Sequence, residues 1–173
     1  WDETNRYGNL RNYKADTGEG LYRRSMYTIW KRTAAPPSML LFDAPNREIC
    51  TPKRARTNTP LQALALMNEV TYVEAARALA QRMMKEGGDT VESRLTTGFR
   101  LATARTPDTQ TLAVLKTGFE RRKKRFVESP EAAKALIKQG TSKPDPSLDA
   151  LELAAYSATA SILLNLDRVI TKD

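Results

Sequence analysis

The sequence predicts a mainly α fold: an antiparallel bundle of five or six helices preceded by an irregular segment rich in arginine and aromatic residues. Three observations carry that prediction. Helix-start signals recur after residue 59, apolar residues follow them at three- and four-residue spacing, and no strand–helix–strand alternation or sequence repeat occurs. Hydrophobic residues make up 40% of the 173, enough for one core and too many for a disordered tail.

The chain reads as a single domain in two regions, 1–59 and 60–173. Residues 1–60 carry 11 Lys and Arg against 6 acids, whereas 61–173 carry 17 against 14, so the basic excess is denser at the front. Seven of the twelve aromatic residues also fall there, from Trp1 to Phe42. Gly8, Gly18, Gly20, Pro36, Pro37, Pro45, Pro52 and Pro60 interrupt this stretch and predict irregular backbone, with one regular piece around Leu21 to Lys31 that fits a helix or a strand.

Thr59-Pro60-Leu61-Gln62 is a capping box with proline at the first helical position, and it opens the first long helix. Leu61, Leu64, Ala65 and Leu66, then Val70, Val73, Ala76, Ala80 and Met83, form its apolar stripes, with a break at Asn68 and a stop at Gly87-Gly88. Thr90 to Arg105 follows with Val91, Leu95, Phe99, Leu101 and Ala102 on its apolar side. Thr106-Pro107-Asp108 then opens a helix through Val127, with Leu112, Leu115, Phe119 and Phe126 inward, and Ser129-Pro130-Glu131 opens another to Gly140. After a loop with Pro144 and Pro146, the last helix runs from about Leu148 to Leu166, with Leu151, Ala155, Ala158, Ile162 and Leu163 on one face.

Composition excludes several chemistries. There is no His, which removes the commonest base near neutral pH, Ser-His triads, imidazole-ligated haem and most catalytic zinc sites. The one Cys excludes an internal disulfide and a cysteine-only metal cluster, so no cofactor is expected in this chain. No apolar run reaches the roughly 20 residues of a membrane span. The chain opens on Trp1 without a Met, as a fragment or processed product would.

Candidate site residues lie mainly in the front region. Arg54 and Arg56 precede Thr57, Asn58 and the box Thr59 to Gln62, where guanidinium groups at a helix start would suit an anion or a carboxylate from another segment. The alternative is that they pin the front region onto the bundle. Cys50, near Lys53 and Arg54, lacks a His or Cys partner and reads as a buried structural thiol. Asp43 and Glu48 could form a carboxylate pair for glycosidic chemistry, or serve as a turn residue and an arginine partner. Tyr22-Arg23-Arg24 and Trp30-Lys31-Arg32 interleave cations with aromatics, a pattern shared by nucleic-acid platforms and by anchors that hold an irregular strip. Arg121-Arg122-Lys123-Lys124-Arg125 wraps around its helix at roughly 100° per residue, as either a contact for acidic polymer or a solvated end complementing the helix dipole.

Several of these stretches together carry a resemblance. Leu21 to Thr33, Pro36 to Met39, Phe42-Asp43-Ala44-Pro45-Asn46-Arg47-Glu48-Ile49-Cys50-Thr51 and Arg56 to Leu64 resemble the signature run of a planctomycete-specific domain of unknown function. Phe99 to Pro107 and Leu163 to Ile170 fit the same family. The resemblance implies the C-terminal part of large secreted proteins that often carry a c-type haem domain near their start, with the upstream half of the domain preceding Trp1. It also implies extracytoplasmic localisation, haem c in another domain, and upstream domains of the same protein as partners. This chain has no Cys-x-x-Cys-His and cannot attach a c-type haem itself. Arg23, Arg24, Trp30, Asp43, Arg47, Cys50, Arg56, Asn58 and Gln62 transfer as signature positions without roles.

Together these readings point to a non-enzymatic structural or interaction module, with another protein or a polysaccharide as a further partner. The alternatives are a hydrolytic or carbohydrate-active site completed by an upstream region, and a binder of acidic polymer; nucleic acid is disfavoured. The expected structural cluster is Arg23, Arg24, Trp30, Arg32, Asp43, Arg47, Glu48, Cys50, Arg54, Arg56, Asn58 and Gln62.

Overall fold

The computed structural model describes residues 16–30 and 35–171, and the chain divides into two compact units, Trp1–Thr57 and Asn58–Asp173. The described residues form helices and connecting loops with no strand.

In the first unit, the piece expected around Leu21 is neither an α-helix nor a strand. It forms two 3-10 turns, Gly18–Tyr22 and Ser25–Tyr27, joined by extended backbone at Arg23 and Arg24. A short helix, α1 (Pro37–Leu41), stands where only irregular structure was expected; Pro37 at its first position, with φ already set, favours the turn. Tyr22, Met26, Tyr27, Ile29 and Leu40 are exposed, so the described residues of this unit rest on polar contacts more than on a buried apolar core.

The second unit holds α2 (Pro60–Asn68), α3 (Val70–Glu86), α4 (Val91–Thr103), α5 (Thr109–Glu128), α6 (Pro130–Ile137), α7 (Ala150–Leu164) and α8 (Asp167–Ile170). The starts follow local chemistry. Thr59 and Gln62 make the expected box, Glu69 recaps the chain as α3 through its carboxylate, and Thr90 and Asp149 cap α4 and α7. Asp108 rather than Thr106 caps α5, its Oδ1 accepting the Thr111 amide at 2.6 Å. A carboxylate there also complements the positive end of the helix dipole. Both α6 and α7 are shorter than expected, and the single turn α8 follows separately after Asn165.

Helix α7 is the centre of the unit. Leu153, Ala154, Ala155, Tyr156, Ser157, Thr159, Ala160 and Leu163 are buried, the pattern of a helix covered on most of its surface. It packs most extensively on α3 and also contacts α5 and α6. Its alanines keep the surface low enough for close approach. Ser157 and Thr159 direct their hydroxyls back to the carbonyls of Leu153 and Ala155, so neither buried hydroxyl lacks an acceptor. Phe119 stacks on Tyr156 with ring centroids 4.4 Å apart, joining α5 to this core.

Gly98 sets the approach of α4 to α3, since a Cβ there would stand 2.5 Å from Met83 Sδ. Ala104 ends α4 with φ 57°, taking the left-handed position that glycine usually fills.

Several residues assigned inward face solvent. Leu61, Leu64 and Val70 are exposed, as are Leu101 and Ile162, while Leu112, Leu115, Phe126 and Leu151 are half-buried. On α2 the inward position belongs instead to Gln62, which is 1% exposed. Its Oε1 accepts the Thr59 amide at 2.7 Å, so the cap itself holds that side chain against the unit. Periodicity marks a row of apolar residues; which side of a short helix is covered depends on neighbours far away in sequence.

Candidate functional site

Of the polar residues singled out in the first unit, Asp43 and Arg54 meet at a backbone turn. The Asp43 φ of 61° turns the chain after α1, and a short polar side chain tolerates this left-handed position better than a bulky one. The Asp43 carboxylate accepts the Thr57 amide at 2.8 Å and the Thr57 hydroxyl at 2.9 Å. Arg54 donates from Nε to the Asp43 carbonyl at 3.0 Å and from Nη2 to the Phe42 carbonyl at 2.9 Å. One guanidinium fork thus closes the 42–54 loop, and one carboxylate ties the far end of that loop back to its start. The carbonyls and amides so engaged have no ladder to join, which is why side chains supply their partners.

In the same unit, Arg47 lies with its guanidinium carbon 4.7 Å from the centroid of the Trp30 ring, a cation–π contact, and itself adopts φ 65°. The Trp30 Nε1–H is buried and has no hydrogen-bond partner among the described residues. Glu48 is exposed, and its amide donates to Asn46 Oδ1 at 3.1 Å, so the segment after Pro45 turns on local bonds. Arg23 and Arg24 are exposed; Arg23 borders a hollow of about 270 Å³ together with Asp16 and Tyr27. Arg56 is exposed, and Arg32 lies outside the described residues.

Cys50 corrects an expectation. It is exposed, not a buried thiol, because residues 46–57 are exposed throughout. Asn58 and Gln62 belong to the second unit. Asn58 Nδ2 donates to Asp167 Oδ1 at 2.7 Å, joining the entry of α2 to α8, and Gln62 completes the capping box.

The most elaborate polar constellation was not singled out from sequence. On α3, Glu74 and Arg77 are buried, with Arg77 Nη2 3.6 Å from Glu74 Oε1. Arg77 donates to the carbonyls of Ile137, Gln139 and Ser142 at 2.5, 2.6 and 2.7 Å and to Ser142 Oγ at 2.6 Å. Glu74 accepts the amides of Thr141 and Ser142 at 3.0 and 2.7 Å. Further along the same face, Gln81 Oε1 accepts the Asp145 amide at 3.0 Å, and Lys85 pairs with the Asp145 carboxylate. Positions 74, 77, 81 and 85 form one helical stripe that grips the connection from α6 to α7. Gly140 completes the fit at φ 92°, since a Cβ there would collide with the Glu74 carboxylate. The available signal was charge inside an apolar stripe: Glu74 and Arg77 sit between Val73, Ala76 and Ala80.

The electrostatics of the second unit follow from such pairs. Lys85, then the Ser147 hydroxyl and amide, hold the Asp145 carboxyl well below the usual carboxylate range. The Lys116 hydrogen bond lowers Glu92. Burial pushes the Tyr156 phenol up, opposed by the Arg94 guanidinium, while the Tyr156 hydroxyl has no well-formed hydrogen bond. Among the described residues no group of three His, Cys, Asp or Glu side chains is placed to hold a metal, and no helix is long and apolar enough to cross a membrane.

The family described as PSD1, a protein of unknown function (DUF1553), matches residues 2–119. The chain belongs to this family. The match spans the whole Asp43–Arg54–Thr57 clamp and the Glu74–Arg77 pair, and ends within α5. No curated protein and no solved structure matches the chain.

Proposed function

We propose that this member of the DUF1553 family is a non-enzymatic structural or interaction module of a secreted planctomycete multidomain protein. In this reading it forms the C-terminal part of an extracytoplasmic chain, any haem c is carried by another domain, and its first partners are the upstream domains of the same polypeptide. The resemblance of the signature stretches supports the setting.

The observation that carries the modular role is the engagement of Arg54 and Asp43. One guanidinium of the expected anion site and one carboxylate of the expected acid–base pair are taken up by Phe42, Asp43 and Thr57 of their own loop. A carboxylate holding an amide and a hydroxyl is ill placed to exchange protons with a substrate. This favours the module over a hydrolytic or carbohydrate-active site built on Asp43 and Glu48. The exposed Leu61, Leu64 and Met67 on α2 support the interaction half of the reading, because they present apolar surface on an otherwise well-capped helix.

Binding of heparin and of a single-stranded DNA oligonucleotide, measured across a salt series, tests the reading. A module of this kind gives weak binding to both. Tight binding that falls steeply with salt would establish a basic-polymer binder instead.

A further inference from the structure

A hollow of about 440 Å³ opens between α5 and α7, in the size range of small-molecule sites. Val114, Gly118, Arg121 and Arg122 line it from α5, and Thr159 and Ile162 from α7. Its chemistry is two-sided. Val114 and Ile162 expose apolar surface, while two guanidinium groups supply the charge among the described lining residues.

Arg122 is half-buried and folds back over Gly118, its Nη1 2.7 Å from where a Cβ at that position would stand. It makes no ion pair or hydrogen bond among the described residues. Thr159 and Thr117 donate their hydroxyls to helix carbonyls, so neither offers a competing donor. A guanidinium taken partly out of water, beside a second cation and with no carboxylate, is unfavourable until an anion arrives. Burial and Arg121 both push its pKa down, in keeping with that placement, although the group stays charged at neutral pH.

We propose that this hollow binds an organic carboxylate with a short hydrocarbon body, the head received by Arg122 and the body laid against Val114 and Ile162. The planar fork of arginine matches a carboxylate through two parallel bonds, and the apolar rim distinguishes such a ligand from a bare inorganic anion. Gly118 is a positioning residue: without a Cβ it leaves room for the guanidinium. No residue of the site belongs to the first unit, so its failure would leave the modular reading intact.

The test is an amide NMR titration of the whole chain with sodium octanoate, with acetate and octan-1-ol as arms that keep only the head or only the body. Saturable shifts at Val114, Gly118 and Ile162 are expected for octanoate alone. Arg122→Gln should weaken octanoate at least tenfold. Gly118→Ala should weaken it too by displacing the guanidinium, while leaving thermal stability equal or higher, because alanine favours the helix. The proposal is overturned by equal binding of octan-1-ol or acetate, by octanoate shifts that do not saturate or lie elsewhere, or by affinity unchanged in both variants.

Discussion

Replacing Arg77 by leucine removes the cation that the α6–α7 connection is built around. The side chains of Arg77 and Glu74 are only 3% and 8% exposed, so water screens the pair little and cannot replace lost partners. In Arg77→Leu the carbonyls of Ile137, Gln139 and Ser142 lose these donors and the buried Glu74 carboxylate loses the guanidinium beside it. Adding charged hydrogen bonds one by one would overstate the loss, because they share one guanidinium. Removal of one member of a buried pair costs about 3–5 kcal/mol, against about 5–15 kcal/mol for a whole domain. Urea unfolding followed by far-UV circular dichroism should therefore show Arg77→Leu folded but with a much lower midpoint and an unchanged slope. The Glu74→Leu/Arg77→Leu double variant should lose less than the two single losses combined, since neither charge is stranded. A loss below about 1 kcal/mol in Arg77→Leu would refute the assignment of a buried, closely held pair.

Three further outcomes follow from the geometry. Ala104→Gly should raise stability by about 1 kcal/mol in the same unfolding assay, since only glycine takes a left-handed helix end without a Cβ penalty. Gly98→Ala should destabilise by about 1–3 kcal/mol, because the added methyl meets Met83 at the α3–α4 approach; the Met83→Ala/Gly98→Ala pair should show less than additive loss. Asp145 is depressed in the folded chain, so its contribution is complete above the unfolded carboxylate value of about 3.9 and lost as pH falls toward the folded value. The stability gap between wild type and Asp145→Asn should stay constant from about pH 8 to pH 5 and shrink below about pH 4.

Features encoded within a few residues were legible in the sequence, and those encoded across the fold were not. The box Thr59 to Gln62, the recapping after Asn68 and the stop at Gly87 are local, because a cap bonds its own first turn. The covered face of α2 is not local: its inward residue is a glutamine, and the leucines beside it look outward. Arg77 reaches residues 60 to 65 positions away, which no spacing rule reports. In the first unit, Asp43 was readable as a turn residue, whereas its bond to Thr57 and the grip of Arg54 on two carbonyls needed the loop to be closed first. The exposure of Cys50 follows the same logic, since a thiol is buried only when another element covers it.

The claim that Asp43 and Arg54 hold their own loop is tested most directly by hydrogen exchange across residues 42–57, compared between the wild type, Arg54→Met and Asp43→Asn. Both substitutions should speed exchange in that segment, the Thr57 amide most of all in Asp43→Asn, with α3 and α7 unchanged. Exchange in 42–57 that is as fast in the wild type as in both variants would contradict the clamp.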